Sequence, residues 1–196
     1  MIINFALEEY LYLFIVSEIV VGIVMPFIIL KGEKEKVIQY KLYSLIESIL
    51  YILIGMTFIA IFASIGQFYN YGIFNYSTGN IVGFLLFLIG ILYQGIAEAS
   101  LGKYYLPYLG IAEGQKIIKN GIYKYIRHPG YFGEMLIFLG FGFVTYNILG
   151  IIIALIVDIF IYIGEVLPEE QYLENNFGQE YKDYKKETYR FIPYIF

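Results

Sequence analysis

One histidine stands in this chain of 196 residues, inside the stretch "NGIYKYIRHPGYFGE" from Asn120 to Glu134. His128 has Arg127 before it and Pro129 after it, with Tyr123 and Tyr131 close by. Well downstream, Pro168 introduces two adjacent acids, Glu169 and Glu170, at the head of "VLPEEQYLENNFGQEYKDYKKETYRFIP". An imidazole can orient a ligand through a hydrogen bond or move a proton, carboxylates attract cations, and phenol rings offer them a face. A His-Pro step beside apolar segments can equally be a turn or a headgroup anchor. The elements that carry these residues have to decide.

Composition identifies the solvent. The chain is 59% hydrophobic and 15% charged with a mean hydropathy of +0.67, whereas soluble domains carry about 25% charged residues. This is the composition of an integral membrane protein, and its length has room for one domain, 1–196, of several spanning helices. A net charge of -4 without a basic face argues against nucleic acid. The absence of cysteine excludes disulfides and thiolate chemistry, and a lone histidine speaks against a zinc site, so no metal is expected.

Three segments, 5–30, 42–66 and 81–101, are long enough to span a bilayer. Two more, 131–145 and 148–164, reach only about 22–26 Å as helices and read as a short hairpin turning at Thr145, Tyr146 and Asn147. The first segment has neither a basic flank nor a small-residue cleavage site and is taken as a retained span. The expected fold is therefore all-α, with five transmembrane helices and a helical C-terminal tail. Every lysine and arginine falls after the first span, after the third or in the tail. The positive-inside rule then places the N-terminus outside and the C-terminus in the cytosol. Anchoring to anionic headgroups predicts the same asymmetry. The polar stretches 103–134 and 165–196 thus share one face.

The tail has helical punctuation of its own. Pro168 suits a first helical position, Glu169 and Glu170 complement the positive helix end, and Gly178 suits a helix stop. Tyr181, Tyr184 and Thr188 recur at helical spacing, giving a second short amphipathic piece.

Taken in order, Gly121 and Tyr123; Arg127, His128, Pro129, Tyr131 and Gly133; Glu169 and Glu170; Phe177, Gly178, Glu180 and Tyr181; and Pro193 form one constellation. It resembles the C-terminal signature of the isoprenylcysteine carboxyl methyltransferase and phospholipid methyltransferase families, over about Leu101 to Ile195. The resemblance implies a membrane-embedded S-adenosylmethionine site without a Rossmann domain. Indeed no strand-linked G-x-G-x-x-G occurs, and Gly140 and Gly142 lie in an apolar helix where close packing explains them. Carried over by position, Tyr123, His128, Pro129, Gly130, Tyr131 and Glu169 match cofactor contacts, and Glu170 matches a second acid of the phospholipid branch. Gln115, Lys116, Ile117 and Ile118 align with the adenosine pocket. The types suit the ligand: carboxylates and aromatic faces for a sulfonium and an ammonium, and a basic loop for a carboxylate. His128 then orients the cofactor; a structural interfacial histidine and a general base stand as alternatives.

Glu165 departs from the family pattern, which has an arginine associated with the acceptor there. A carboxylate acceptor is thereby disfavoured and an amine-bearing or neutral lipophilic one favoured, unless Glu165 only caps the fifth span. Glu134 and Glu165 are the candidate acceptor-side residues, while Glu18, Glu47 and Asp158 read as interhelical or snorkelling acids; Glu98 also lies at the end of an apolar span. The expected function is methyl transfer from S-adenosylmethionine to a lipophilic acceptor entering from the bilayer, with membrane lipids as surroundings and no protein partner implied. An NADPH-dependent membrane reductase of the sterol or steroid type, which carries a similar Arg-His-Pro element, is the alternative. A non-catalytic scaffold is the third.

Overall fold

The computed structural model describes residues 42–106 and 109–194, with side chains from residue 53 onward. The expected first span, the lysines that follow it, and the side chains of Glu18 and Glu47 lie outside the described residues. Six α-helices follow in order: α1 Leu42–Phe68, α2 Tyr76–Leu101, α3 Pro129–Val144, α4 Ile148–Ile161, α5 Leu167–Phe177 and α6 Gln179–Glu187. The described residues contain no β-sheet, and isolated bridges such as Ile73 with Asn147 and Ile126 with Tyr189 are not strands, so the all-α expectation holds for them. Helix α2 begins earlier than the expected 81 because Asn75 caps it, its Oδ1 accepting from the Thr78 N–H at 3.0 Å.

Two helical runs, Tyr76–Tyr104 and Ile148–Phe177, are long and apolar enough to cross a membrane. Leu53, Phe58 and Ile61 of α1, Leu85 and Leu92 of α2, and Ile159 and Phe160 of α4 all face outward. An apolar exterior of this extent is stable against lipid and not against water. Inside, Met56 and Ile59 meet Ile137, Phe138 and Phe141 of α3 and Ala154, Val157 and Ile161 of α4.

Small residues set the tightest contact. Gly83, Gly90 and Ala97 recur at every seventh position of α2, as do Gly133 and Gly140 on α3, so each set lines one helix face. A Cβ on Gly83 would come within 2.6 Å of the Gly140 carbonyl oxygen, and one on Gly90 within 2.6 Å of the Gly133 carbonyl oxygen. The two backbones therefore touch directly, as small-residue interfaces allow where apolar burial gives no drive. Gly142 plays the same part against Gly150 and Ala154 of α4. The packing role expected for Gly140 and Gly142 is what the structure has, while the α2 half of the seam was not anticipated.

The α3–α4 turn falls at Thr145–Asn147, as expected. Asn147 is fully buried there; its Oδ1 accepts from the Leu149 N–H at 2.9 Å and its Nδ2 donates to the Tyr71 carbonyl at 2.8 Å. Gln67 of α1 donates to the Thr145 carbonyl at 3.0 Å, so the turn is tied to the α1–α2 connection.

The segment expected as a short span over 148–164 differs from expectation. Instead of a short helix ending at 164, α4 runs on through a π-helical turn, Tyr162–Val166, into α5, making one run of 30 residues. Pro168 has no N–H to give, and the chain widens by one residue ahead of it, with the Leu167 N–H reaching the Tyr162 carbonyl. The second leg of the hairpin is therefore long, at roughly 45 Å.

The glycine seam generates a paired test. Gly140→Val pushes a branched side chain into the Gly83 backbone and should cost about 1–3 kcal/mol or more. Gly95 of α2 has nothing within 4 Å of an added Cβ, so Gly95→Ala should be neutral or stabilising by up to about 1 kcal/mol. Thermal melts in detergent decide it, and equal midpoints for the two variants would remove the seam's role.

Candidate active site

The polar end of the bundle is built from the α2–α3 loop and the tail. Gly102, at φ 52, ends α2 and returns its N–H to the Glu98 carbonyl. The Gln115 Oε1 accepts from the Ala112 N–H at 2.7 Å, and an irregular stretch follows in which Ile117 and Ile118 are half-buried and Lys116 exposed. Gly121, at φ 58, opens a 3₁₀ turn, Gly121–Lys124, whose Tyr123 is buried. A positive φ is what glycine supplies here. His128 then caps α3, with the buried Pro129 in its first turn and Gly130 against Ala97 of α2.

The tail clasps this loop. The Tyr189 N–H donates to the Tyr125 carbonyl at 2.9 Å, the Arg127 N–H to the Tyr189 carbonyl at 2.9 Å, and the His128 N–H to the Arg190 carbonyl at 3.2 Å. These bonds form a short parallel pairing around Ile126 and Tyr189. From α6, the buried Tyr184 hydroxyl donates to the Tyr123 carbonyl at 2.7 Å. Gly178, at φ 57, separates α5 from α6, which lets Tyr181 and Tyr184 turn inward, as their spacing suggested.

Glu170 lies at the centre of the clasp, 3% exposed. Its Oε1 accepts from Arg127 Nε at 2.6 Å, from Arg190 Nε at 3.0 Å and from His128 Nε2 at 3.2 Å. Its Oε2 accepts from Arg190 Nη2 at 2.9 Å and lies 3.0 Å from Lys185 Nζ. Burial pushes such a carboxyl up, yet the bonds from His128, Arg190, Arg127 and Lys185 hold it well below its ordinary range. The two arginines are bound further: Arg127 Nη1 donates to the Thr188 carbonyl at 2.8 Å and Arg190 Nη1 to the Tyr162 hydroxyl at 2.6 Å.

His128 is buried between both acids, its Nδ1 lying 3.6 Å from Glu169 Oε2. Burial alone lowers its pKa, but the two carboxylates outweigh that and raise it above 6.5, favouring the imidazolium. Glu169 is more open, with its side chain 31% exposed. Tyr131, half-buried, hydrogen-bonds to Glu169 and stands within electrostatic reach of Glu165 and Glu134. Tyr123 likewise senses Glu169. The structure thus brings Tyr123, His128, Tyr131, Glu169 and Glu170 together, with Glu134 and Glu165 beside Tyr131. It sets Glu170 among four basic side chains, Arg127, His128, Lys185 and Arg190. Lys185, Arg190 and Tyr162 are members of this network that the sequence motifs do not single out. A lone arginine between an aromatic pair near Pro193 was the available signal.

The clasp generates a stability test. Glu170→Gln leaves buried cations uncompensated and should cost about 3–5 kcal/mol. Since the His128 pKa is raised on folding, its contribution is complete below 6.5 and fades as pH rises through the higher folded value. The Glu170 contribution is complete above 4.5 and persists into strong acid. Midpoints measured across pH should fall on the alkaline side of 6.5 in the parent but not in His128→Gln; parallel profiles would contradict this.

Known proteins can now be set beside this geometry. The chain is 30% identical to a protein-S-isoprenylcysteine O-methyltransferase of Dictyostelium discoideum over 119 residues, which cover 58% of this chain and 49% of that protein. It is 24% identical to 3-oxo-5-alpha-steroid 4-dehydrogenase 1 of Rattus norvegicus over 115 residues, 59% of this chain and 41% of that one. Among solved structures, the eukaryotic intramembrane Ras methyltransferase, isoprenylcysteine carboxyl methyltransferase, superposes with a TM-score of 0.61 at 22% identity, covering 74% of this chain and 52% of that one. The chain spans about half the length of these matches or less, and the structural likeness speaks for the fold. A family model described as phospholipid methyltransferase matches residues 78–180, which carry α2, the Tyr123–Tyr131 loop, the α3–α4 hairpin and the paired acids. With more than half of its length matched, the chain belongs to the phospholipid methyltransferase family.

Proposed function

We propose that this protein transfers a methyl group from S-adenosylmethionine to a lipophilic acceptor at the polar edge of the membrane. The observation that carries this reading is the convergence of Tyr123, His128, Tyr131 and Glu169 where the loop, α3 and α5 meet. These residues suit the cofactor: Glu169 and the phenols for its cationic groups, and the basic loop for its carboxylate. The Tyr181 hydroxyl adds an orphaned donor, buried without a partner, beside Glu169, Glu170 and Arg127. Buried polar atoms of that kind fit a ligand that supplies the missing bond.

When bound, S-adenosylmethionine supplies a methyl group on a sulfonium, which an acceptor lone pair takes in line as the carbon–sulfur bond breaks. The protein's own part is orientation, for which effective molarities correspond to about 7–11 kcal/mol. His128 lies between Glu169 and Glu170, which favour its imidazolium form, and it serves as a donor that orients the ligand. Phe191, against both His128 and Phe132, screens the imidazole from water. Glu134 and Glu165 face the acceptor from α3 and the π turn; acidic side chains there suit an amine-bearing or neutral head better than a carboxylate. The acceptor arrives laterally, its tail against α2, α3 or α4. Five spans, with the N-terminus outside and the loop and tail cytosolic, are the matching topology.

The reductase reading is favoured by the rat steroid dehydrogenase likeness, and ligand binding separates the two. In detergent, S-adenosylhomocysteine should bind and raise the melting midpoint, and Glu169→Gln and His128→Ala should each weaken it about tenfold or more. Stabilisation by NADPH in its place would install the reductase. Acceptor analogues without a lipid tail should be methylated far more slowly than tailed ones, and Glu165→Arg should shift preference toward a carboxylate head. Equal rates with and without the tail would end the lateral-entry reading. In this cysteine-free chain, Ser77→Cys should label from outside and Lys186→Cys only after permeabilisation; external labelling of the latter would invert the topology.

A further inference from the structure

Glu98 occupies the last turn of α2, only 3% exposed. Its carboxylate takes a hydrogen bond from Tyr105. The other oxygen, Oε2, is buried with no hydrogen-bond partner. The placement is specific. Ala97, the neighbouring residue, closes the glycine seam against Gly130, where an added Cβ would meet it at 3.8 Å, and Ser100 lies beside Gly121 at 3.4 Å from an added Cβ. The end of α2 is thereby wedged between the first turn of α3 and the turn that carries Tyr123. The Tyr123 phenol senses Glu169 from one element, and Tyr105 and Glu98 from another.

A buried carboxylate oxygen without a partner is expensive and survives where something else satisfies it. Helix capping does not account for it, because the Gly102 N–H is taken by the Glu98 backbone carbonyl. Nor does Glu98 share the environment of Glu170, whose neighbours are four basic side chains. Glu98 is bonded by one phenol, Tyr105, and stands within electrostatic reach of another, Tyr123, and a carboxylate beside phenols suits neutral hydroxyl donors attached to a flat ring system. Rings stack on a purine and a carboxylate accepts from the hydroxyls of a sugar.

We infer that Glu98 is a further donor-site residue, accepting from the ribose hydroxyls of the nucleoside half of S-adenosylmethionine, while Glu169 serves the cationic half. This rests on the methyl-donor reading above. It makes α2 a wall of the site, and it assigns the two halves of one ligand to two acids carried by different helices. Glu98 is a binding residue and takes no part in the transfer.

The test uses the full chain in detergent with two probes, S-adenosylhomocysteine and 5′-methylthioadenosine, which keeps the nucleoside and lacks the amino acid. Glu98→Gln should weaken both by a similar factor, about ten- to a hundredfold, while leaving the ligand-free melting midpoint unchanged or raised, since the cost of burying a carboxyl group is removed. Glu98→Met, which lacks both oxygens, should do the same and serves if the first variant fails to fold. Unaltered binding of both probes would overturn the assignment, as would a loss of stability with affinity intact. Weakening confined to S-adenosylhomocysteine would move Glu98 to the amino-acid end and so refute the nucleoside role. If the parent protein bound neither probe, the donor reading itself would fall and this inference with it.

Discussion

The polar end of this molecule depends on one carboxylate held ionised by its surroundings. Glu170 accepts from Arg127, Arg190 and His128 and stands against Lys185, and these residues come from the α2–α3 loop, the tail and α6. Desolvating so many charges consumes most of what their attraction returns, so the network is poor grounds for claiming net stability. Its consequence is geometric. Alternative dockings of the tail would strand several buried charges together, and the loop that carries His128 is consequently held in one place.

From that clasp follows the state of the imidazole. A buried histidine by itself would be neutral. With Glu169 near Nδ1 and Glu170 on Nε2 its pKa is raised, which favours the imidazolium, and the ring is fixed between two carboxylates. The two adjacent acids thus take different parts: Glu170 is buried among basic side chains, while Glu169 remains partly open toward Tyr131. Consecutive helical positions point about 100° apart, which is why neighbours in sequence divide the work in this way.

At the bundle's centre the constraint is steric. Gly83 against Gly140 and Gly90 against Gly133 leave no room for a Cβ, and this contact fixes the height of α2 relative to α3. Without it Ala97 and Glu98 would not reach Gly130 and the Tyr123 turn. The orienting of a polar site by a backbone contact deep in apolar helices is natural in lipid, where close van der Waals approach replaces hydrophobic drive.

The sequence by itself determined the helical class of the described residues and the hairpin turn at Thr145–Asn147, because apolar run length and turn chemistry are local properties; through a family resemblance it also put forward Tyr123, His128, Tyr131 and Glu169, which the structure brings together. It also marked Pro168 and Gly178 as punctuation, correctly for the start of α5 and its end. Tertiary structure alone decided the rest. Pro168 is absorbed by a π turn because α4 can widen without losing its contacts with α1 and α3, and no local signal reports that. The division of labour between Glu169 and Glu170 depended on Lys185 and Arg190, distant in the chain and brought in by the tail. The partnerless oxygen of Glu98 became visible only once α2 was locked against α3, since whether a buried polar atom is satisfied depends on every neighbour and not on its own position in the sequence.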